Sequence, residues 1–261
     1  MRGKPSRVSR FTTAAKLAAM QSHARSGKPS PGPGHDAAPD GIIVSAWLTD
    51  LRFSWDEAIR GLRTRRFAKD ETLFLEGNPA DEVYAIMEGR IRLTTYALDG
   101  KERHLMIIGP NGLVGDCGLL SAKGYVVSAV AAVDAVVCAI PASAMPGMLM
   151  QHPQLARQHQ QLSSMRFRIM LQQLALQGSN SARRRVCHHL LGLMNSYGEP
   201  GRDGTVISIT FTQQEMGNIC GLSRVSVSNV FTLLEREGVI ARSGRLIVIC
   251  DAQRLLDLSK S

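Results

Sequence analysis

FTQQEMGNICGLSRVSVSNVFTLLEREG, residues 211–238, reads as a helix, a tight turn and a second helix. Thr212 and, three residues later, Glu215 form a capping box: the hydroxyl accepts from the Glu215 amide and the carboxylate accepts from the Thr212 amide. The first helix turns Met216, Ile219 and Cys220 inward. Gly221 supplies the left-handed residue that ends it, and Leu222 packs under the turn. Ser223 caps the second helix, whose apolar positions Val227, Val230, Phe231 and Leu234 recur at three and four residues until Gly238 closes it. Arg224, Val225, Ser228 and Asn229 are left on the opposite face, near the start of that helix.

This is the layout of a helix-turn-helix, in which the front of the second helix reaches base edges in the major groove. A Ser243-Gly244 turn between ValIleAlaArg and ArgLeuIleValIle then makes a two-stranded wing. Base reading is expected of Arg224, Val225, Ser228 and Asn229. Phosphate contact and positioning are expected of Thr212, Gln213, Ser223, Ser226, Arg242 and Arg245. A helical hairpin in an ordinary core would need neither the polar face nor the wing.

The charge balance fits a polyanionic partner. Of a net +9, residues 1–40 hold seven Lys/Arg against two acids, 41–177 fourteen against thirteen, and 178–261 ten against seven, so the surplus lies outside the middle of the chain. Cysteines 117, 138, 187, 220 and 250 have no CxxC or metal-site spacing, which suits a reduced, cytoplasmic protein and predicts no metal centre. No run approaches the roughly 18 apolar residues of a membrane span. Residues 1–41 are basic and then rich in Pro, Gly and Ser, and are expected to be a disordered tail.

Order is expected from residue 42. Ala46 to Leu62 has helical spacing through Trp47, Leu51, Trp55, Ile59 and Leu62. From about Arg66 to Ile140 the pattern becomes short strands punctuated by glycine, with Asp99-Gly100 as a hairpin turn; this predicts a jelly roll over 42–152. Pro153 to Gly178 reads as one helix. Leu155, Leu162, Ile169 and Leu176 recur every seven residues, with Met165 on the same seam, and this predicts pairing with a second copy of the chain. Gln158, His159 and Gln172 make that seam imperfect. Residues 179–261 complete a DNA-binding domain, and the fold class is α+β.

On these residues the chain resembles the cyclic-AMP receptor protein and Fnr (Crp/Fnr) family of bacterial transcription regulators, over roughly 62–256. TQQEMGNICGLSRVSVSNVFTLLEREGVIARSGRLIVI carries most of the likeness, EGNPADEVYAIMEGRIRL the rest, and Arg183-Arg184-Arg185 precede a helix (186–195) like the family's entry to the DNA domain. The resemblance implies a homodimer on double-stranded DNA at an inverted repeat, RNA polymerase as a further partner, and a small-molecule effector in the jelly roll. Its base-reading positions fall on Arg224, Val225, Ser228 and Asn229. Members that read the common half-site have glutamate in the second place and often arginine in the last, so the half-site is not expected to transfer.

The effector site departs further. Cyclic-AMP binders carry Gly-Glu-x-x-Leu and then Arg-Ser-Ala, whereas this chain has Gly115-Asp116-Cys117-Gly118-Leu119 and Val127-Ser128-Ala129. Val127 gives a phosphate no charge to pair with, and Lys123 sits in the preceding turn. The long helix is expected to face this site through Met170 and Leu171, where cyclic-AMP binders offer hydroxyls. Cyclic AMP is therefore disfavoured. An iron–sulfur cluster is disfavoured because no cysteine precedes Cys117, and haem is left open with His104 and Cys117 as the nearest ligands. A metal-dependent jelly-roll enzyme would need two histidines and a carboxylate converging inside the barrel, and the strand-rich stretch 66–140 has only His104, so no enzyme activity is expected. The competing function is a small-molecule sensor without specific DNA readout.

Overall fold

The computed structural model describes residues 43–49, 51–96, 100, 102–118, 124–177 and 181–260. The expected tail at 1–41, Asp99, Lys123 and Gly178 lie outside these residues.

Nine strands form the sensor half among the described residues: β1 (Trp47–Leu48), β2 (Thr64–Phe67), β3 (Thr72–Phe74), β4 (Glu82–Glu88), β5 (Ile91–Tyr96), β6 (Glu102–Ile108), β7 (Leu113–Val114), β8 (Ser128–Ala131) and β9 (Ala135–Pro141). One sheet runs β1-β6-β5-β8-β3 and the other β2-β9-β4-β7. Alternating apolar residues from both, among them Val83, Ile86, Ile91, Ile107, Leu113 and Ile140, are buried in one core.

The helix expected over 46–62 does not form. Trp47 and Leu48 instead extend the first sheet as a parallel edge on Ile107 and Ile108 of β6, and turns follow from Trp55. The apolar spacing is still used: Trp47, Trp55 and Ile59 are all buried. A helical pattern in a short segment can be spent on turns whose apolar side chains the sandwich covers.

A short helix α1 (Met145–Gln151) leads into α2 (Pro153–Gln177), the long helix read from the sequence. Its seven-residue stripe, however, faces its own sandwich. Leu155, Leu162, Ile169 and Leu176 are 2, 1, 2 and 7% exposed within the single chain, and Met165 is half-buried. Polar residues on and beside the stripe explain this orientation. Gln158 accepts from the Phe53 amide at 2.7 Å and donates to the Phe53 carbonyl at 2.8 Å. Gln173 Nε2 donates to the Leu105 carbonyl at 2.6 Å. These amides satisfy sandwich backbone, which a partner's apolar seam would leave unpaired. The face left open carries Phe167, Met170, Leu171 and Leu174, 67, 40, 50 and 64% exposed.

The second half runs α3 (Ala182–Tyr197), β10 (Gly198–Gly201), β11 (Gly204–Ile207), α4 (Gln213–Cys220), α5 (Arg224–Arg236), β12 (Ile240–Ser243), β13 (Leu246–Ile249) and α6 (Ala252–Lys260). Its sheet, β10-β11-β13-β12, has two strands more than the expected wing, and α6 was not foreseen.

Because Leu162 fills the interior of one chain, Leu162→Ala should destabilise the protein by about 2–5 kcal/mol, measured by urea unfolding. Phe167→Ala, on the open face, should leave the midpoint nearly unchanged at protein concentrations too low for self-association.

Candidate nucleic-acid interface

The helix-turn-helix is built by local chemistry. The Thr212 hydroxyl accepts from the Glu215 amide at 3.0 Å while Glu215 Oε2 accepts from the Thr212 amide at 2.7 Å, so the capping box is complete. Gly221 ends α4 at φ +65°, in the left-handed region, and the Leu222 amide returns to the Gly217 carbonyl. Ser223 then caps α5, its hydroxyl accepting from the Ser226 amide at 3.0 Å. Met216, Ile219 and Cys220 of α4 and Val227, Val230, Phe231 and Leu234 of α5 are buried, and Gly238 follows α5 at φ +70°.

With those residues inside, Arg224, Val225 and Asn229 are exposed and Ser228 is half-buried beside them. Val225, 67% exposed, has no packing role that would explain an apolar residue there. Thr212, Ser223, Arg242 and Arg245 are exposed, and Gln213 and Ser226 half-buried. Arg242 Nε is held by Glu235 Oε1 of α5, which fixes the wing against the second helix. The wing turn falls on Gly244 and Arg245, with Gly244 at φ +61°, because Ser243 still pairs with Leu246.

The HTH also rests on the sensor half. Tyr197 Oη donates to the Trp47 carbonyl at 2.5 Å and accepts from the Thr49 amide at 2.8 Å, and Trp47 lies 5.6 Å from the Phe211 ring. His104 of β6 is buried, with its Nε2 3.1 Å from Nδ2 of Asn218 on α4. Burial, ahead of any neighbouring charge, lowers the His104 pKa, so the ring is neutral and Nε2 can accept from that amide. No local pattern assigns His104 this role, since the contact joins residues 114 apart.

At the expected effector site, Asp116 is buried and already engaged. Arg166 Nη1 donates to its two oxygens at 2.8 and 2.6 Å, His159 Nε2 lies 3.0 Å away, and Arg166 Nη2 donates to the Leu113 carbonyl. Burial pushes the Asp116 pKa up, but the Arg166 charge and the hydrogen bonds outweigh it and bring the group down to about 2. Met170 and Leu171, expected to face this site, point to solvent instead; the helix presents His159 and Arg166. An arginine four residues after Leu162, on the inward stripe, was the available signal for a buried acid. Val127 is half-buried, and the Ser128 hydroxyl accepts from the Glu76 amide at 3.0 Å. Phe74 stacks on Tyr125 at 3.8 Å beside Gly115, where an added Cβ would lie 3.0 Å from the Tyr125 ring. A cyclic nucleotide does not fit these residues: no cation stands at 127, and the Asp116 carboxylate is taken.

Comparison with known proteins agrees with both halves. A profile for the cyclic nucleotide-binding domain matches residues 64–152, and one for the Crp-like helix-turn-helix domain matches 184–258. The chain is 31% identical over 222 residues to the transcriptional activator protein anr of Pseudomonas aeruginosa, covering 85% of this chain and 89% of that protein. A CRP-family transcriptional regulator from Thermus thermophilus superposes with a TM-score of 0.58 at 29% identity, over 76% of this chain and 97% of that one. FixK2 from Bradyrhizobium japonicum has the same fold, with a TM-score of 0.62 at 24% identity over 76% and 96%.

The Asp116–Arg166 pair gives a direct test of the sensor geometry. Asp116→Ala should cost about 3–5 kcal/mol by leaving a buried guanidinium uncompensated, and adding Arg166→Leu should recover part of the loss. With a folded pKa of about 2 against an ordinary 3.8, the carboxylate contributes its full stability above about 3.8 and loses it as the pH falls through 2. Urea midpoints of the two variants decide it.

Proposed function

The chain belongs to the Crp/Fnr family of transcriptional regulators, and on that premise we propose that it binds an inverted-repeat operator as a two-fold dimer. Residues 42–152 are the sensor, 153–178 the connecting helix and 179–261 the DNA-binding domain. The observation that carries the reading is the exposed front of α5: Arg224, Val225 and Asn229 stand clear of the core while α4 and α5 are each capped at the amino end. Arg224 suits a bidentate grip on guanine, Asn229 a pair of bonds to adenine, and Val225 an apolar contact with a thymine methyl. Thr212, Gln213, Ser223, Ser226, Arg242 and Arg245 position the duplex through phosphates. Phe167, Met170, Leu171 and Leu174 form the dimer face, in place of the seven-residue stripe, since an apolar row of this exposure on a helix needs a cover. The Pseudomonas relative is named an activator, which supports RNA polymerase as the further partner and the cytoplasm as the place of work. No catalytic step is involved, and the sensor's effector is not cyclic AMP.

In vitro selection from random DNA should yield two half-sites about 34 Å apart. Arg224→Ala should lose about 1–3 kcal/mol and relax one position per half-site, and Asn229→Ala should relax a different one. If both variants select the parent's site unchanged, α5 does not read bases as proposed.

Sedimentation tests the dimer. Phe167→Lys with Leu174→Lys should give a monomer that has lost most operator affinity; a dimer that survives both changes means that another face pairs.

A further inference from the structure

The concavity below the wing is walled by both halves of the chain. It measures about 460 Å³ and is lined by Thr212, Gln213, Arg242 and Arg245 of the DNA-binding half, over a floor of Phe211 and Phe231, and by Arg90 of the sensor half. Arg90 lies in the turn between β4 and β5, and its backbone is immobilised there. The Arg90 carbonyl accepts from the Ala132 amide at 2.8 Å, and the preceding Gly89, at φ +79°, is pressed so close to Asp134 that a Cβ would lie 2.2 Å from the Asp134 carbonyl oxygen. From that fixed base the side chain crosses to the other half, where Nη1 donates to the Thr210 carbonyl at 2.8 Å, two residues before the cap of α4.

One of the five guanidinium N–H groups is used in that bond. Two acids stand nearby: Glu215, which also lines the concavity, accepts from the Thr212 amide, and Glu235 pairs with Arg242. No ion pair of Arg90 or Arg245 is found among the described residues. Arg90, Arg242 and Arg245 against the carboxylates of Glu215 and Glu235 leave the concavity with an excess of positive charge.

We propose that Arg90 is a DNA-phosphate contact supplied by the sensor domain, gripping the backbone strand that runs between the start of α4 and the wing. The sensor half then forms part of the DNA surface, and any shift of the β4–β5 turn against Thr210 changes affinity without touching a base-reading residue. This rests on the DNA-binding reading above, and its failure is separable from the failure of that reading.

The experiment compares the full-length parent with Arg90→Gln and Arg90→Lys. Glutamine keeps a donor for the Thr210 carbonyl and removes the charge; lysine keeps both. Binding is measured from low to high salt on the duplex selected by the parent and on an unrelated duplex of equal length. Arg90→Gln should bind both duplexes about fivefold more weakly per subunit at ~0.15 M salt, and its slope of log K against log salt should be shallower by about one per subunit. Its selected site should match the parent's, and Arg90→Lys should keep the parent's slope. Melting curves alike for all three would exclude a folding effect, and if Arg90→Gln melts early, Arg90→Met takes its place. A slope unchanged in the neutral variant overturns the proposal and leaves Arg90 as a tether only. A parent that selects no site at all refutes the DNA-binding reading instead.

Discussion

A buried guanidinium needs an opposing charge within reach, and Arg166 imposes that constraint on the packing of α2 against the sensor half. It sits on the inward stripe of α2 and meets Asp116 and the Leu113 carbonyl, both on the sandwich. A small rotation of α2 about its axis would strand the charge in an apolar interior, at a cost of several kcal/mol. Gln158 and Gln173 reinforce the setting by closing on the backbone of residues 53 and 105. The rotation of α2 is thus held by polar bonds as well as by leucines, and it decides which residues remain on the outer face.

The same pair reshapes the sensor's interior. The acidic residue at the expected effector site is neutralised from within the chain, and the Phe74–Tyr125 stack occupies the space beside Gly115. An incoming ligand would have to compete with a charge-assisted, nearly dry ion pair. That sets a steep requirement on its chemistry, and an unpaired phosphate does not meet it.

Among the described residues, several side chains join the two halves. Strand β6 touches α4 through His104 and Asn218, Tyr197 ties the end of α3 to the edge strand β1, and Arg90 reaches the approach to α4. Each joins a rigid sensor strand or turn to a residue at or near a helix terminus.

What the sequence determined by itself was local. The capping box at Thr212, the left-handed Gly221 and the cap at Ser223 are interactions between neighbours, and the structure has each one as read. The strand–glycine rhythm over 66–140 and the length of α2 follow from periodicity in the same way. Tertiary structure decided the rest. Residues 46–62 have helical spacing, but Trp47 and Leu48 gain more from pairing with β6, a preference visible only once β6 is beside them. The sevenfold stripe of α2 specifies an apolar face without specifying what covers it. A partner helix and the chain's own sandwich bury leucines equally well, and it is Asp116 and the backbone groups awaiting Arg166, Gln158 and Gln173 that favour the sandwich. His104 on Asn218 and Arg90 on Thr210 span 114 and 120 residues, and side-chain identity carries no information about such distant partners until folding supplies the geometry.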